Sequence, residues 1–304
     1  MSLILALSAA TAVAAQPRAV PARPRPPTPS EIVARAPAAA WETVRPDDLL
    51  VIDYADGART VVQLAPAFAP VHVANIRALA ATDYWRSASV YRVQDNYVAQ
   101  WGVNEGGPPV PAAVVKRPPA EYERPLRGLG VRPLGYGDSY APRVGHALGW
   151  PVAWNPATKR ANLAHCYGMV GVGRDMAPDT GMGGELYAVI GHAPRHLDRN
   201  IALVGRVVEG IEHLSALPRG TEALGFYKAG TVARSIRTAR LASALAPTDR
   251  PSFQVMRTGS ASFAAFVNAR ANRRDDFFNL AAGGVDLCNA PVPVRRTPAL
   301  PSSR

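Results

Sequence analysis

The sequence of 304 residues lacks an apolar run long enough to cross a lipid bilayer. Its longest stretch of apolar and small residues, Leu3–Ala15, has 13 residues, whereas a membrane-spanning helix needs about 20. No integral membrane span is therefore expected. The small residues Val13-Ala14-Ala15 before Gln16 are typical of a signal-peptide cleavage site, although no Lys or Arg precedes the apolar run. We predict a signal peptide at residues 1–15 and export of the protein, to the periplasm.

Lysine is scarce, and long runs of basic residues are missing. The net charge is +11 and the pI is about 10.2, yet the only lysines are Lys116, Lys159 and Lys228. The arginines are scattered, and the pair Arg273-Arg274 is followed directly by Asp275-Asp276. Recognition of nucleic acid needs Lys and Arg gathered on one face. We therefore expect no nucleic-acid partner, and infer only a basic surface that favours acidic partners.

Cysteine occurs twice, at Cys166 and Cys288. In an exported chain an even pair is compatible with one disulfide. The alternative is two buried free thiols. His165 directly precedes Cys166, but neighbouring residues on a strand point to opposite faces, so an activated thiolate is not expected.

Motifs for metal and phosphate binding are missing too. His192 and His196 have the i, i+4 spacing of helical metal ligands, but Pro194 between them opposes a helix and no third ligand is evident. The glycine-rich run 171–184 has no Lys-Ser/Thr pair for a phosphate loop. We therefore expect neither a metal nor another cofactor.

What the chain has in abundance is proline, 29 residues, unevenly placed. Residues 16–40 are Pro-rich without an apolar period, which predicts an extended linker or a mobile tail. Residues 41–245 form the main domain, in which Val103–Ala164 is a Pro- and Gly-rich insertion of loops with only short strands. Residues 246–304 are a C-terminal extension, with one capped amphipathic helix from Ser260 to Leu280 and a frayed end from Pro291.

The main domain alternates strand-like segments with two helical patterns. The segments rich in β-branched and aromatic residues are Leu49–Tyr54, Arg59–Leu64, Ser87–Val93, Tyr97–Gly102, Tyr167–Val172, Glu185–Ile190, Ile201–Val208 and Ala229–Leu245. Helical spacing occurs in Ala69–Ala81 and Ile211–Leu217. Many short strands with two helices among them predict a mainly β fold, a closed antiparallel barrel with helices over its open ends.

One predicted hairpin carries polar side chains on an apolar face. If Ser87–Val93 and Tyr97–Gly102 pair around Asp95, Arg92 lies opposite Val98 and Val90 opposite Gln100, all four on one face. A guanidinium and a carboxamide on such a face cost free energy unless something polar binds there. The alternative is an ordinary exposed face.

These segments resemble the cyclophilin-type peptidyl-prolyl cis-trans isomerases. Residues 90–102, Val-Tyr-Arg-Val-Gln-Asp-Asn-Tyr-Val-Ala-Gln-Trp-Gly, are similar to the family's Phe-His-Arg-Ile-x-Pro-x-Phe-x-x-Gln-Gly-Gly. Residues 70–79 resemble the family's first helix, and residues 197–207 its Leu-Asp-Gly-x-His-x-x-Phe-Gly-x-Val motif. The resemblance covers roughly residues 49–245. It implies an eight-stranded antiparallel barrel capped by two helices, with no metal or cofactor.

The resemblance also implies roles for residues of this chain. Arg92 takes the position of the arginine that hydrogen-bonds the substrate near the prolyl nitrogen, and Gln100 that of its supporting glutamine. The remaining substrate-binding positions are Tyr97, Val98, Gly173, Glu185, Tyr187, His196, Leu197 and Ile201. Tyr97 and Tyr187 fall where the family has pocket phenylalanines. His196 stands where many members have Trp, and Ile201 where they have a pocket His.

The function that the resemblance implies is isomerisation of Xaa-Pro bonds in exported polypeptides, which assists their folding. The altered pocket, the insertion and the C-terminal helix leave an alternative: a cyclophilin-like binding module or chaperone with little catalysis.

Overall fold

The computed structural model of the protein describes residues 25–103, 106–275 and 277–297. The predicted signal peptide, residues 1–15, and the first part of the predicted linker lie outside these ranges. Within them the strands are β1 (Trp41–Thr43), β2 (Leu49–Tyr54), β3 (Arg59–Leu64), β4 (Ala88–Val93), β5 (Val98–Val103), β6 (Arg124–Pro125), β7 (Arg132–Pro133), β8 (Arg143–Ala147), β9 (Trp150–Asn155), β10 (Arg160–Leu163), β11 (Met169–Val172), β12 (Leu186–Val189), β13 (Leu203–Glu209), β14 (Arg234–Leu241), β15 (Phe253–Met256) and β16 (Val294–Arg296). The α-helices are α1 (Pro29–Arg35), α2 (Pro70–Ala80), α3 (Glu212–Ser215) and α4 (Ala261–Ala271).

Eight strands close into an antiparallel barrel in the order β11-β12-β5-β4-β14-β2-β3-β13. Alternate residues such as Val62 and Trp101 fill its interior. Ile76 of α2 and Leu214 of α3, both without exposed surface, join the same core. The expected eight-stranded barrel with two helices packed against it is confirmed.

Helix α2 receives its N-terminal cap from a distant residue. It begins at Pro70 after Ala69, which offers no capping side chain. Instead, the Glu121 carboxylate in the insertion accepts hydrogen bonds from the backbone N–H groups of Val71 (2.9 Å) and His72 (3.0 Å). The same carboxylate lies 2.7 Å from Nδ1 of the fully buried His72 side chain. The insertion therefore stabilises the helix that covers one part of the barrel core.

The insertion contains more regular structure than the sequence predicts. The expectation of loops with only short strands is wrong for residues 124–163, where β6-β10-β9-β8-β7 form a five-stranded sheet. Strands β8 and β9 are joined by a two-residue turn, Leu148-Gly149, in which both residues have positive φ. Gly145 lies inside β8 and Pro151 inside β9. Because both residue types are depleted in strands, the sequence did not predict these two strands.

Segments from the two ends of the described residues fold together. Strands β1, β15 and β16 form a three-stranded sheet, and α1 packs on α4. The expectation of an extended linker is wrong for Pro29–Arg35, because Thr28 and Glu31 form a capping box that starts α1.

Two expectations for the C-terminal extension are also corrected. The helix predicted from Ser260 to Leu280 ends at Ala271, after which Arg273 pairs with Asp275 in a local turn. The predicted frayed end is wrong for residues 291–297, because β16 pairs with β15, and the rest of that segment lies outside the described residues.

Cys166 and Cys288 are joined by a disulfide, one of the two alternatives that the sequence left open. It links the chain just before β11 of the barrel to the segment before β16.

Candidate active site

The hairpin of β4 and β5 brings Arg92 and Gln100 together on the outer face of the barrel. The structure pairs Arg92 with Gln100 and Val90 with Trp101, with a register shift between the two pairs. The predicted register, with Arg92 opposite Val98 and Val90 opposite Gln100, is therefore wrong. The turn is longer than assumed. In addition, the irregularity at Tyr91 changes which residues of β4 face inward, so that Val90 points into the barrel core.

The Arg92 guanidinium is held by three hydrogen bonds. Its Nη1 donates to Gln100 Oε1 (3.0 Å), its Nη2 to Gln94 Oε1 (2.6 Å), and its Nε to the Leu224 carbonyl (2.8 Å). The charge also lies 5.8 Å from the centre of the Tyr97 ring and 5.3 Å from that of Phe226. Burial lowers the pKa of Arg92, yet a guanidinium stays protonated in proteins. The site thus presents a fixed cation.

A second set of hydrogen bonds orients Gln100. Its amide nitrogen donates to the Tyr91 hydroxyl oxygen (2.6 Å) and to Glu185 Oε2 (3.3 Å). The Tyr91 hydroxyl in turn donates to Glu185 (2.7 Å). Burial, together with the nearby Glu185 carboxylate, raises the pKa of Tyr91, so the phenol remains neutral. Because the amide nitrogen faces these two acceptors, the amide oxygen is directed to Arg92.

Beside these polar groups lies an apolar pocket. Val98, Tyr187 and Val189 form a buried cluster separate from the barrel core, and Tyr97 and Ile201 pack against it. The pocket opens into a cleft of about 550 Å³. A small apolar ring can therefore be bound within reach of the guanidinium.

The cleft collects nine of the ten residues that the resemblance assigns to catalysis or substrate binding. They are Arg92, Gln100, Tyr97, Val98, Gly173, Glu185, Tyr187, Leu197 and Ile201. His196 does not line it; its ring is exposed and stacks on that of Tyr97, with centroids 6.1 Å apart and an interplanar angle of 2°. The glycine at Gly173 permits close packing, since a Cβ there would lie 2.9 Å from the Gln100 amide nitrogen.

Sequence reasoning missed the segment 219–227, which runs beside Arg92. Its Gly220 and Tyr227 N–H groups donate to the carbonyls of Val93 and Tyr91 on β4. Phe226 stacks on Tyr91 with ring centroids 6.0 Å apart, and both Leu224 and Phe226 line the cleft. The sequence carries no periodic signal here, and Leu224, at φ 58°, has a backbone conformation that is uncommon for a leucine.

In the part of the chain that the structure describes, no three His, Cys, Asp or Glu side chains lie together as they would around a metal ion. Nor do the described helices include one with the length and apolar content of a membrane span.

The family model for the cyclophilin type peptidyl-prolyl cis-trans isomerase/CLD matches residues 50–234. No curated protein matches the chain. Among solved structures, cyclophilin AquaCyp293 from Hirschia baltica aligns with a TM-score of 0.64 and 22% sequence identity. That alignment covers 84% of this chain and 93% of the Hirschia chain. At this identity the likeness concerns the fold, and it extends beyond the barrel.

Two structures of a Cryptosporidium parvum cyclophilin-type isomerase also align, one of them determined in the presence of the dipeptide Ala-Pro. Both cover 64% of this chain and almost all of their own, with 12% and 14% identity and a TM-score of 0.39. The family match spans more than half of the chain and includes the Arg92 hairpin, the pocket and the barrel strands other than β14. The chain belongs to the cyclophilin-type peptidyl-prolyl cis-trans isomerase family.

Proposed function

We propose that the protein catalyses cis–trans isomerisation of Xaa-Pro bonds in polypeptides. The observation that carries the proposal is the Arg92 guanidinium, held by three hydrogen bonds at the edge of an apolar pocket. The pocket suits a proline ring, and the guanidinium is near enough to act on the amide nitrogen of that ring.

The chemistry needed is rotation about a C–N bond whose barrier of about 18–20 kcal/mol comes from amide resonance. A guanidinium has five N–H groups, and within the described residues three of those of Arg92 have partners. The other two are free to bind the substrate. Placed by the prolyl nitrogen, this cation stabilises the twisted state, in which the lone pair returns to nitrogen. Because the donor is already oriented and partly buried, little reorganisation is needed at the moment of rotation.

The test is the rate of isomerisation of a short Xaa-Pro peptide, measured by exchange NMR for the wild type, Arg92→Ala and Arg92→Lys. We expect the wild type to accelerate exchange and Arg92→Ala to lose about 100-fold of the rate, as when one oriented donor is removed from an enzyme site. Arg92→Lys keeps the positive charge but lacks the planar guanidinium that presents several N–H donors in a fixed geometry, so we expect most of the rate to be lost as well. A wild type that binds the peptide without accelerating exchange would refute the proposal.

A binding module or chaperone with little catalysis is the second candidate. Ile201, where the family has a pocket histidine, leaves this wall of the cleft apolar, and His196 lies outside the cleft. Both features leave an apolar surface to which a polypeptide can bind, and both remove a polar side chain from the cleft. Prevention of client aggregation that survives Arg92→Ala, in a protein without isomerase activity, would favour this candidate.

We further propose that the substrates are exported proteins and that this protein acts in the periplasm. The apolar Leu3–Ala15 run supports export, and the Cys166–Cys288 disulfide suits an oxidising compartment. Cell fractionation with N-terminal sequencing tests the proposal. A mature chain that begins at Gln16 in the periplasmic fraction is expected, and an uncleaved cytoplasmic chain would contradict it.

A further inference from the structure

The aromatic ring at the base of the proposed proline pocket carries a hydroxyl group, which an apolar pocket does not need. Tyr187 is 4% exposed and packs with Val98 and Val189. Its ring passes directly over Gly171, where a Cβ atom would lie 2.3 Å from the hydroxyl oxygen. The hydroxyl is thus buried against the adjacent strand, and a buried hydroxyl without a partner is unfavourable.

The partner of this hydroxyl is His165. Its Nε2 lies 3.0 Å from the Tyr187 oxygen, and its Nδ1 lies 2.8 Å from Asp198 Oδ1. A neutral imidazole that donates from Nδ1 to the carboxylate has an acceptor at Nε2, so the Tyr187 hydroxyl is the donor. The His165 side chain is 1% exposed, which keeps water from replacing either contact.

Asp198 is itself fixed on both oxygens. The His165 backbone N–H donates to Oδ1 (2.9 Å), and Arg195 Nε donates to Oδ2 (2.5 Å). Arg195 then donates through Nη1 and Nη2 to Asp138, at 2.9 and 3.3 Å. The side chains of Arg195 and Asp138 are each 3% exposed. Asp138 belongs to the insertion, so a chain of buried contacts runs from the insertion to the pocket.

We propose that His165 is a positioning residue for isomerisation: held by Asp198, Arg195 and Asp138, it fixes the Tyr187 ring against which the substrate proline packs. The proposal rests on the proposed function, since it assigns a support to the same pocket. It also explains how a tyrosine serves where the family has a phenylalanine. Without an acceptor at the far side of the ring, the hydroxyl can find water only by turning toward the cleft, which displaces the surface that receives the proline.

A double-mutant cycle tests the coupling. KM for a tetrapeptide with one Xaa-Pro bond, and its Kd from calorimetry, are measured for the wild type, His165→Leu, Tyr187→Phe and the double variant. We expect His165→Leu to raise Kd and KM roughly tenfold, since small displacements within a site cost binding and rate steeply. In the Tyr187→Phe background the same substitution should change Kd less than twofold, because no hydroxyl remains to be misplaced.

The matched control is His146→Leu. His146 is likewise 1% exposed and hydrogen-bonded, here to the Ala290 carbonyl at 2.9 Å, but it lies in the insertion sheet away from the cleft. It should lower the melting temperature without changing Kd. Equal effects of His165→Leu on Kd in both backgrounds, or none in either, would overturn the positioning role.

A measurement on the unaltered protein keeps the proposal testable if His165→Leu does not fold. In ¹⁵N NMR spectra, His165 should carry its proton on Nδ1, with Nε2 unprotonated and coupled to a slowly exchanging Tyr187 hydroxyl proton. A Tyr187 hydroxyl proton that exchanges rapidly with water and shows no coupling to Nε2 would refute the proposal. This measurement does not depend on enzymatic activity. A wild type that is inactive but shows the expected tautomer of His165 would therefore refute the proposed function, while the contact by which His165 holds the Tyr187 ring would be confirmed.

Discussion

Replacing Glu121 with alanine should destabilise the protein by about 3 kcal/mol. The carboxylate accepts two backbone hydrogen bonds at the start of α2 and a third contact from His72. Hydrogen bonds to a charged group contribute about 1.5–3 kcal/mol each, and an anion at a helix N-terminus adds about 0.3–1 kcal/mol. These terms are not additive, because one carboxylate serves all of them. The value of about 3 kcal/mol corresponds to the loss of two such hydrogen bonds, partly offset by new hydrogen bonds from the freed N–H groups to water.

The assay is equilibrium unfolding in urea, with the disulfide intact. Glu121→Gln should cost about half as much, because the amide oxygen still accepts a backbone bond while the charge is lost. Glu123→Ala is the control: this half-buried carboxylate lies 4.0 Å from Arg160, a pair near the surface that is expected to contribute less than about 1 kcal/mol. If Glu121→Ala and Glu123→Ala reduced the free energy of unfolding equally, our account of the helix cap would be refuted.

Two further predictions concern acid and reduction. Burial lowers the pKa of His146 from 6.5 to about 4, so its neutral form stabilises the protein above pH 6.5, and about 3 kcal/mol of the free energy of unfolding should be lost as the pH falls from 6.5 to 4. Urea titrations over this range should show a steeper fall for the wild type than for His146→Gln, and parallel curves would contradict the prediction. Replacing both Cys166 and Cys288 with alanine opens a cross-link between residues 122 apart and should cost at most about 5 kcal/mol of the free energy of unfolding. Urea unfolding of the wild type with a reducing agent should show the same loss, and no loss in either case would show that the cross-link does not stabilise the fold.

The barrel was predictable because its strands carry their own signals. Leu49–Tyr54 and Arg59–Leu64 were predicted with the bounds that the structure has, since each is a β-branched run ended by a turn. The pair Arg92 and Gln100 followed from the family motif. The predicted register placed Arg92 opposite Val98 and not Gln100, but an error of two residues leaves both side chains on the same face of the sheet. Val90 was misplaced because an irregularity in pairing has no signature in a single sequence.

The parts that could not be predicted depend on distant residues. The support of Tyr187 comes from His165, Asp198, Arg195 and Asp138, which lie in three separate stretches of sequence. None of these residues has a local pattern that indicates its partner. By contrast, the Thr28–Glu31 capping box is a local pattern that can be recognised in the sequence. It was overlooked because the proline content of the segment favoured a linker.

The sheet of β1, β15 and β16 sets an order of events during synthesis. Strand β1 leaves the ribosome first, yet its partner β15 is translated only after every strand of the barrel. All strands of the barrel are therefore synthesised while β1 still has an unpaired edge and Trp41 lacks its partner on β15, Met256. Addition of β16, which places Arg295 4.0 Å from the centre of the Trp41 ring, completes this sheet. A chain that is cut short before Phe253 thus carries every strand of the barrel but leaves β1 with an unpaired edge, which is able to pair with another chain.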